Sequence, residues 1–193
     1  MKASSSQVLS DLRPHTSIEI LDTLSTADLY DLCDATDAAI EAGGGGFGWV
    51  TPPAREVLER YWRGVMTVPE RHLLVARMDG MICGAAQLVE PGRHNESQSF
   101  ATTLLACFIA PWARGRGAGR KLMETSEKLA LEMGYKVIQL DVRETQETAI
   151  HLYETMGYKC WGINPTYALI DRQIIAGRFF IKTIGPLVAL QEV

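Results

Sequence analysis

Residues 111–121 read Pro111-Trp112-Ala113-Arg114-Gly115-Arg116-Gly117-Ala118-Gly119-Arg120-Lys121. The stretch follows an apolar, strand-like run (Leu104 to Ala110). It opens a helical pattern carried by Leu122, Met123, Leu129, Ala130 and Met133. A glycine loop between strand and helix can aim several backbone N–H groups at one point, where the helix dipole favours negative charge. Glycine lets that backbone approach an anion with no side chain in between. The flanking arginines and lysine add charge-assisted hydrogen bonds. The chemistry is that of a pyrophosphate cradle, with a plain structural turn as the alternative this stretch alone leaves open.

The rest of the chain frames that loop. Its 193 residues, 47% hydrophobic and 22% charged, suit a globular chain with a sizeable core. The expected organisation is a flexible segment over 1–16 and one domain over 17–193. A net charge of −4 gives no general nucleic-acid footprint, so no nucleic-acid partner is expected, and the basic cluster stands out against it. Cys33, Cys83, Cys107 and Cys160 lack Cys-x-x-Cys spacing. Three sit in apolar surroundings, where a buried thiol is favoured over a metal ligand, and no metal is expected. The opening Met1 to Ser6 lacks the apolar core of a secretory signal. No run reaches the roughly 18 apolar residues of a spanning helix. A reduced, cytoplasmic protein with no membrane partner is the expectation.

Patterning divides the chain into alternating elements. Ser17 to Leu24 reads as a strand, followed by a helix capped by Ser25 or Thr26 and stopped at Gly43. A glycine tract with Phe47 and Trp49 forms a loop. Ala54 to Met66 carries Val57, Leu58, Tyr61, Trp62 and Val65 at helical spacing. Arg71 to Arg77 and Met81 to Val89 flank an Asp-Gly turn, a hairpin signature. Beyond the basic loop, Lys136 to Val142 is a strand, and Thr148 to Met156 a helix stopped by Gly157. Tyr158 to Gly162, Tyr167 to Ile170 and Phe179 to Ile184 are expected as final strands.

The basic loop is neither of the two common phosphate signatures. Gly-Lys-Ser/Thr is missing, and Gly-x-Gly-x-x-Gly fails because position 120 is arginine. Arg114-x-x-Gly117-x-Gly119 instead resembles the acyl-CoA-binding signature of the GCN5-related N-acetyltransferase (GNAT) superfamily. The run Gln146-Glu147-Thr148-Ala149-Ile150-His151-Leu152-Tyr153-Glu154-Thr155-Met156-Gly157-Tyr158 resembles that superfamily's second acyl-CoA segment. It follows Leu140-Asp141-Val142-Arg143-Glu144, as the pattern expects. The tail, Gly162-Ile163-Asn164-Pro165-Thr166-Tyr167-Ala168 and then Phe179 to Lys182, is similar to a bacterial small-molecule subgroup that includes tabtoxin resistance protein.

The resemblance implies an α/β (α+β) fold. A mixed, mostly antiparallel sheet of six to seven strands is flanked by about four helices. Two adjacent parallel strands, here 100–110 and 136–142, splay apart around acetyl-CoA. Backbone groups of Phe108, Ile109 and Ala110 would meet the pantetheine arm. Those of Arg114, Gly115, Arg116, Gly117, Ala118, Gly119 and Arg120 would hold the pyrophosphate. Gln146 stands where the superfamily often has asparagine beside that arm.

Tyr153 is the implied catalytic acid, since a phenol can protonate the departing sulfur; a core tyrosine is the plainer alternative. A base must also deprotonate the amine. Many relatives carry a glutamate on the strand before the loop, whereas this chain reads Phe100-Ala101-Thr102-Thr103. Asp141, Glu90 and His94 remain, with Asp141 preferred; a cap or ion-pair role is its alternative. Phe47, Trp49 and Tyr167 are expected on the acceptor side, with Trp62 as a further candidate for an apolar wall. The implied activity is direct acetyl transfer to a small-molecule amine. The alternatives are a protein N-terminal or lysine acetyltransferase and a non-catalytic acyl-CoA sensor. Members are often dimers, so a homodimer is an open expectation.

Overall fold

The computed structural model describes residues 14–44 and 46–187. The flexible start expected over 1–16 therefore falls largely outside the described residues. Seven strands form one sheet there: β1 (Thr16–Leu21), β2 (Arg71–Met78), β3 (Met81–Val89), β4 (Ala101–Ile109), β5 (Val137–Arg143), β6 (Lys159–Ile170) and β7 (Gln173–Thr183). Their spatial order is β1-β2-β3-β4-β5-β7-β6. Among the described residues four α-helices flank it: α1 (Thr26–Glu41), α2 (Arg55–Val65), α3 (Ala118–Glu132) and α4 (Glu147–Thr155). This is the mixed sheet with a parallel pair and four helices that the resemblance implies.

Boundaries follow local chemistry. β1 stops at Leu21 rather than Leu24, because Ser25 caps α1. Its Oγ accepts from the Asp28 N–H (3.1 Å) and donates to the Asp28 carboxylate (2.8 Å). The β2–β3 hairpin turns on Asp79 and Gly80, both at positive φ (50° and 90°), as the Asp-Gly pair requires. The three short strands expected at the end are two long ones. β6 runs unbroken through Asn164 and Pro165, then turns at Asp171-Arg172 into β7. Proline is accommodated because β6 is the sheet edge and its register shifts between Asn164 and Ala168.

The parallel pair creates the site. β4 and β5 are bonded only from Ala101–Thr103 to Val137–Gln139, and beyond that they part. One face of the sheet packs α1 and α2 around Leu29, Leu32, Trp62 and Phe108. The other packs α3 and α4 around Leu122, Met123, Leu140, Ile150, Tyr153 and Phe180. On β5, Ile138, Leu140 and Val142 are buried in that second core. Strand alternation then sends Gln139, Asp141 and Arg143 to the opposite face. A bulge at Ala106 (φ 46°) bends β4 where the strands separate.

Candidate active site

Two cavities occupy the gap between β4 and β5. The larger holds about 720 Å³ and is lined by the basic loop, the start of α3 and the exposed side of α4. The smaller, about 330 Å³, lies between the bulge of β4, the end of β5, β6 and the glycine tract. Cys107, Gln146, Ala149 and Tyr153 line both, so the two spaces meet at Tyr153.

In the larger cavity Gly115 and Gly117 adopt positive φ (76° and 81°). Gly117 caps α3 without a side chain. Among the described residues, the N–H groups from Gly115 to Arg120 have no backbone acceptor, the first return bond being Lys121 to Gly117. That row of free donors at a helix N-terminus suits a diphosphate. A Cβ at Gly119 would meet Leu152 Cδ2 at 3.4 Å, an ordinary contact distance, so the start of α3 lies close against α4.

The predicted donor-site residues divide. Arg114 and Arg120 stand at the cavity wall, braced by Ile109 O (3.0 Å) and Thr155 Oγ1 (3.0 Å). Arg116 does not line the cavity; its guanidinium turns to Met78 Sδ (3.7 Å). Phe108 and Ile109 line the cavity. Ala110 does not: it lies past the end of β4, and its N–H is donated to Cys83 O at 2.8 Å. Gln146 reaches across the gap and donates to Gly43 O (2.6 Å), tying the glycine tract to the start of α4.

Tyr153 is buried, its ring 6.0 Å from Tyr158 and 5.8 Å from Phe180. Burial, then nearby Cys107 and Asp141, push its hydroxyl well above the ordinary range. It stays protonated and able to donate. Burial also pushes the Cys107 thiol up to about 12, which removes it as a nucleophile.

In the smaller cavity, Asp141 accepts a hydrogen bond from the Tyr167 hydroxyl. Burial, reinforced by that carboxylate, holds the Tyr167 phenol in its protonated form. Phe47 faces the same space and is gripped by Trp49, Tyr61, Trp62 and Phe108 at 5.3–6.0 Å between ring centroids. Trp49 lines neither cavity and stands behind Phe47, against Tyr61. Trp62 is core, donating to Thr36 Oγ1 at 3.1 Å. Glu90 is taken up elsewhere by His72 (2.8 Å) and Tyr135 (2.7 Å), and His94 is exposed outside both cavities. Of the three candidate bases, only Asp141 lines the gap.

Sequence reasoning passed over Arg143 and Cys107. Alternation from Asp141 would have found Arg143. Cys107 follows a bulge that no local pattern announces.

The family model for the acetyltransferase (GNAT) family matches residues 31–158, which span the basic loop, β5 and α4. The chain belongs to the GNAT family. An uncharacterized N-acetyltransferase from the hisH-hisA intergenic region of Azospirillum brasilense is 59% identical over 129 residues, 67% of this chain and 76% of that protein. Among solved structures, a GNAT phosphinothricin acetyltransferase of Sinorhizobium meliloti in complex with acetyl-CoA superposes with a TM-score of 0.72 at 16% identity. It covers 88% of this chain and 89% of that one. The ribosomal-protein-alanine N-acetyltransferase of Brucella melitensis gives 0.72 at 22% identity, covering 86% and 99%. One neighbour is named for a small molecule and the other for a protein, so the GNAT fold does not select the acceptor. The matches establish the family and not the narrower bacterial subgroup. Among the described residues no helix is long and apolar enough to cross a membrane.

Proposed function

We propose that this GNAT chain transfers acetyl from acetyl-CoA directly to the amine of a small molecule, both substrates being bound together. The observation that carries the reading is the meeting of two unequal cavities at Tyr153. The larger suits the donor: free N–H groups from Gly115 to Arg120 hold the diphosphate, with Arg114 and Arg120 adding charge. Phe108, Ile109 and Gln146 flank the path from there to the junction. The smaller suits an acceptor of metabolite size.

Bound acetyl-CoA supplies an activated acetyl thioester. Asp141 takes a proton from the acceptor ammonium and so exposes the nitrogen lone pair. As the C–N bond forms and the C–S bond breaks, Tyr153 gives its phenolic proton to the sulfur, and the second proton shed by the acylated nitrogen restores the phenol. Cys107 at the junction is a protonated thiol, which disfavours an acetyl-cysteine relay and favours direct attack.

Thiol release from acetyl-CoA, measured across small amines and short peptides, tests the reading. Turnover with small amines and initial-rate lines that intersect are expected. Turnover with peptides alone moves the chain to the protein-modifying class. Acetyl-CoA binding with no turnover on either leaves a sensor.

A further inference from the structure

Among residues lining the smaller cavity, Asp141 and Arg143 carry the only formal charges at neutral pH. They lie two residues apart on one face of β5, about 6.5–7 Å between Cα atoms. Asp141 is engaged by Tyr167. The Arg143 guanidinium has no hydrogen-bond or ion-pair partner among the described residues, and its neighbour Glu144 is taken by Arg178 at 2.7 Å. The surrounding walls are apolar: Phe47 inside, Ile170 beside it, Val50 and Leu169 at the exposed rim. A half-buried guanidinium facing such walls has no ion-pair partner in contact, and a planar carboxylate matches its donor fork.

We infer that the acceptor bears a carboxylate within a few bonds of its amine, and that Arg143 selects for that acid group. The inference rests on the smaller cavity being the acceptor site. The acceptor's ammonium faces Asp141 near the junction, its acid group meets Arg143, and a short apolar side chain lies against Phe47 and Ile170. The class is a free amino acid or a close analogue. A simple alkylamine leaves Arg143 unpaired, a diamine is repelled by it, and a peptide N-terminus presents a neutral amide at that place.

The test compares apolar amino acids with their own carboxamides and decarboxylated amines as acceptors, read by thiol release. The amide's amine is the less basic and reacts more readily, so preference for the acid reports recognition rather than nucleophilicity. The wild type is expected to favour acid over amide at least tenfold in kcat/KM. Arg143→Gln brings that ratio near one, chiefly by raising KM for the acid. Arg143→Lys restores part of it, which separates charge recognition from a folding defect. A wild-type ratio near one, or a ratio unchanged in Arg143→Gln, overturns the inference while leaving the small-amine reading intact. Loss of acetyl-CoA affinity in Arg143→Gln, matching the loss for the acid, also overturns it by assigning the guanidinium to the donor. Peptide-only turnover defeats the small-amine reading and the inference with it.

Discussion

The hydroxyl of Tyr167 on β6 donates to the carboxylate of Asp141 on β5 across β7, the strand that separates them in the sheet. The ring passes over Gly177 of β7, where an added Cβ would overlap it. A missing side chain on one strand thus lets a tyrosine on the next reach the candidate base.

Gly177→Ala therefore drives Tyr167 off Asp141. Overpacking of this kind costs about 1–3 kcal/mol, which a urea midpoint will register. Turnover is expected to fall further than acetyl-CoA affinity, because the displaced contact lies in the smaller cavity, the proposed acceptor site. Equal losses in both would place the damage in the fold rather than at the base.

Tyr153→Phe keeps the ring packing against Tyr158 and Phe180 and removes only the hydroxyl, with the proton it carries. A thiolate is a fair leaving group, so kcat should fall by about 100-fold, the low end of general-acid effects. Calorimetry should find acetyl-CoA binding little changed. An unaltered kcat would return Tyr153 to a packing role.

Asp141→Asn removes the proposed acceptor of the ammonium proton. Turnover at neutral pH should drop by about 100-fold. The deficit should narrow as pH rises, since more of the amine is then already free. A deficit independent of pH would argue against proton abstraction by Asp141.

Arg77 joins β1, β2 and α1 by pairing with Glu19 and Asp28, each at 2.7 Å. Its hydrogen bond is the leading cause that holds the Asp28 carboxyl below its ordinary range. A depressed folded-state value means the contribution is present above the usual carboxylate value, near pH 4, and is lost as pH falls through the folded one. Asp28→Asn should cost roughly 1–2 kcal/mol at pH 7. The gap between the denaturant midpoints of wild type and variant should narrow as pH is lowered through the carboxylate range; a constant gap would contradict the linkage.

Much of this was legible from residue order. The loop at 114–119, the strand ending at Arg143 and the helix bearing Tyr153 are local patterns, and the chain holds them in sequence. Other features depend on contacts far apart in the chain. Arg116 and Arg114 look equivalent in the loop, yet only the fold turns one to Met78 and leaves the other at the cavity. Phe47 and Trp49 form one aromatic pair in the sequence, but only Phe47 reaches the cavity. Tyr158–Gly162 and Tyr167–Ile170 read as separate strands, yet β6 runs through both, its edge position accommodating Pro165 between them. Asp141 was preferred to Glu90 and His94 from its place near the end of a strand, and the parting of β4 and β5 leaves it alone of the three at the gap.

Calorimetric titration of acetyl-CoA into the wild type and Gly117→Val tests the donor site most directly. A β-branched residue at φ 81° costs about 1–3 kcal/mol and distorts the row of N–H donors. The account predicts one acetyl-CoA site per chain in the wild type and at least tenfold weaker binding in the folded variant. No binding by the wild type at high micromolar acetyl-CoA, or equal binding by both proteins, would contradict it.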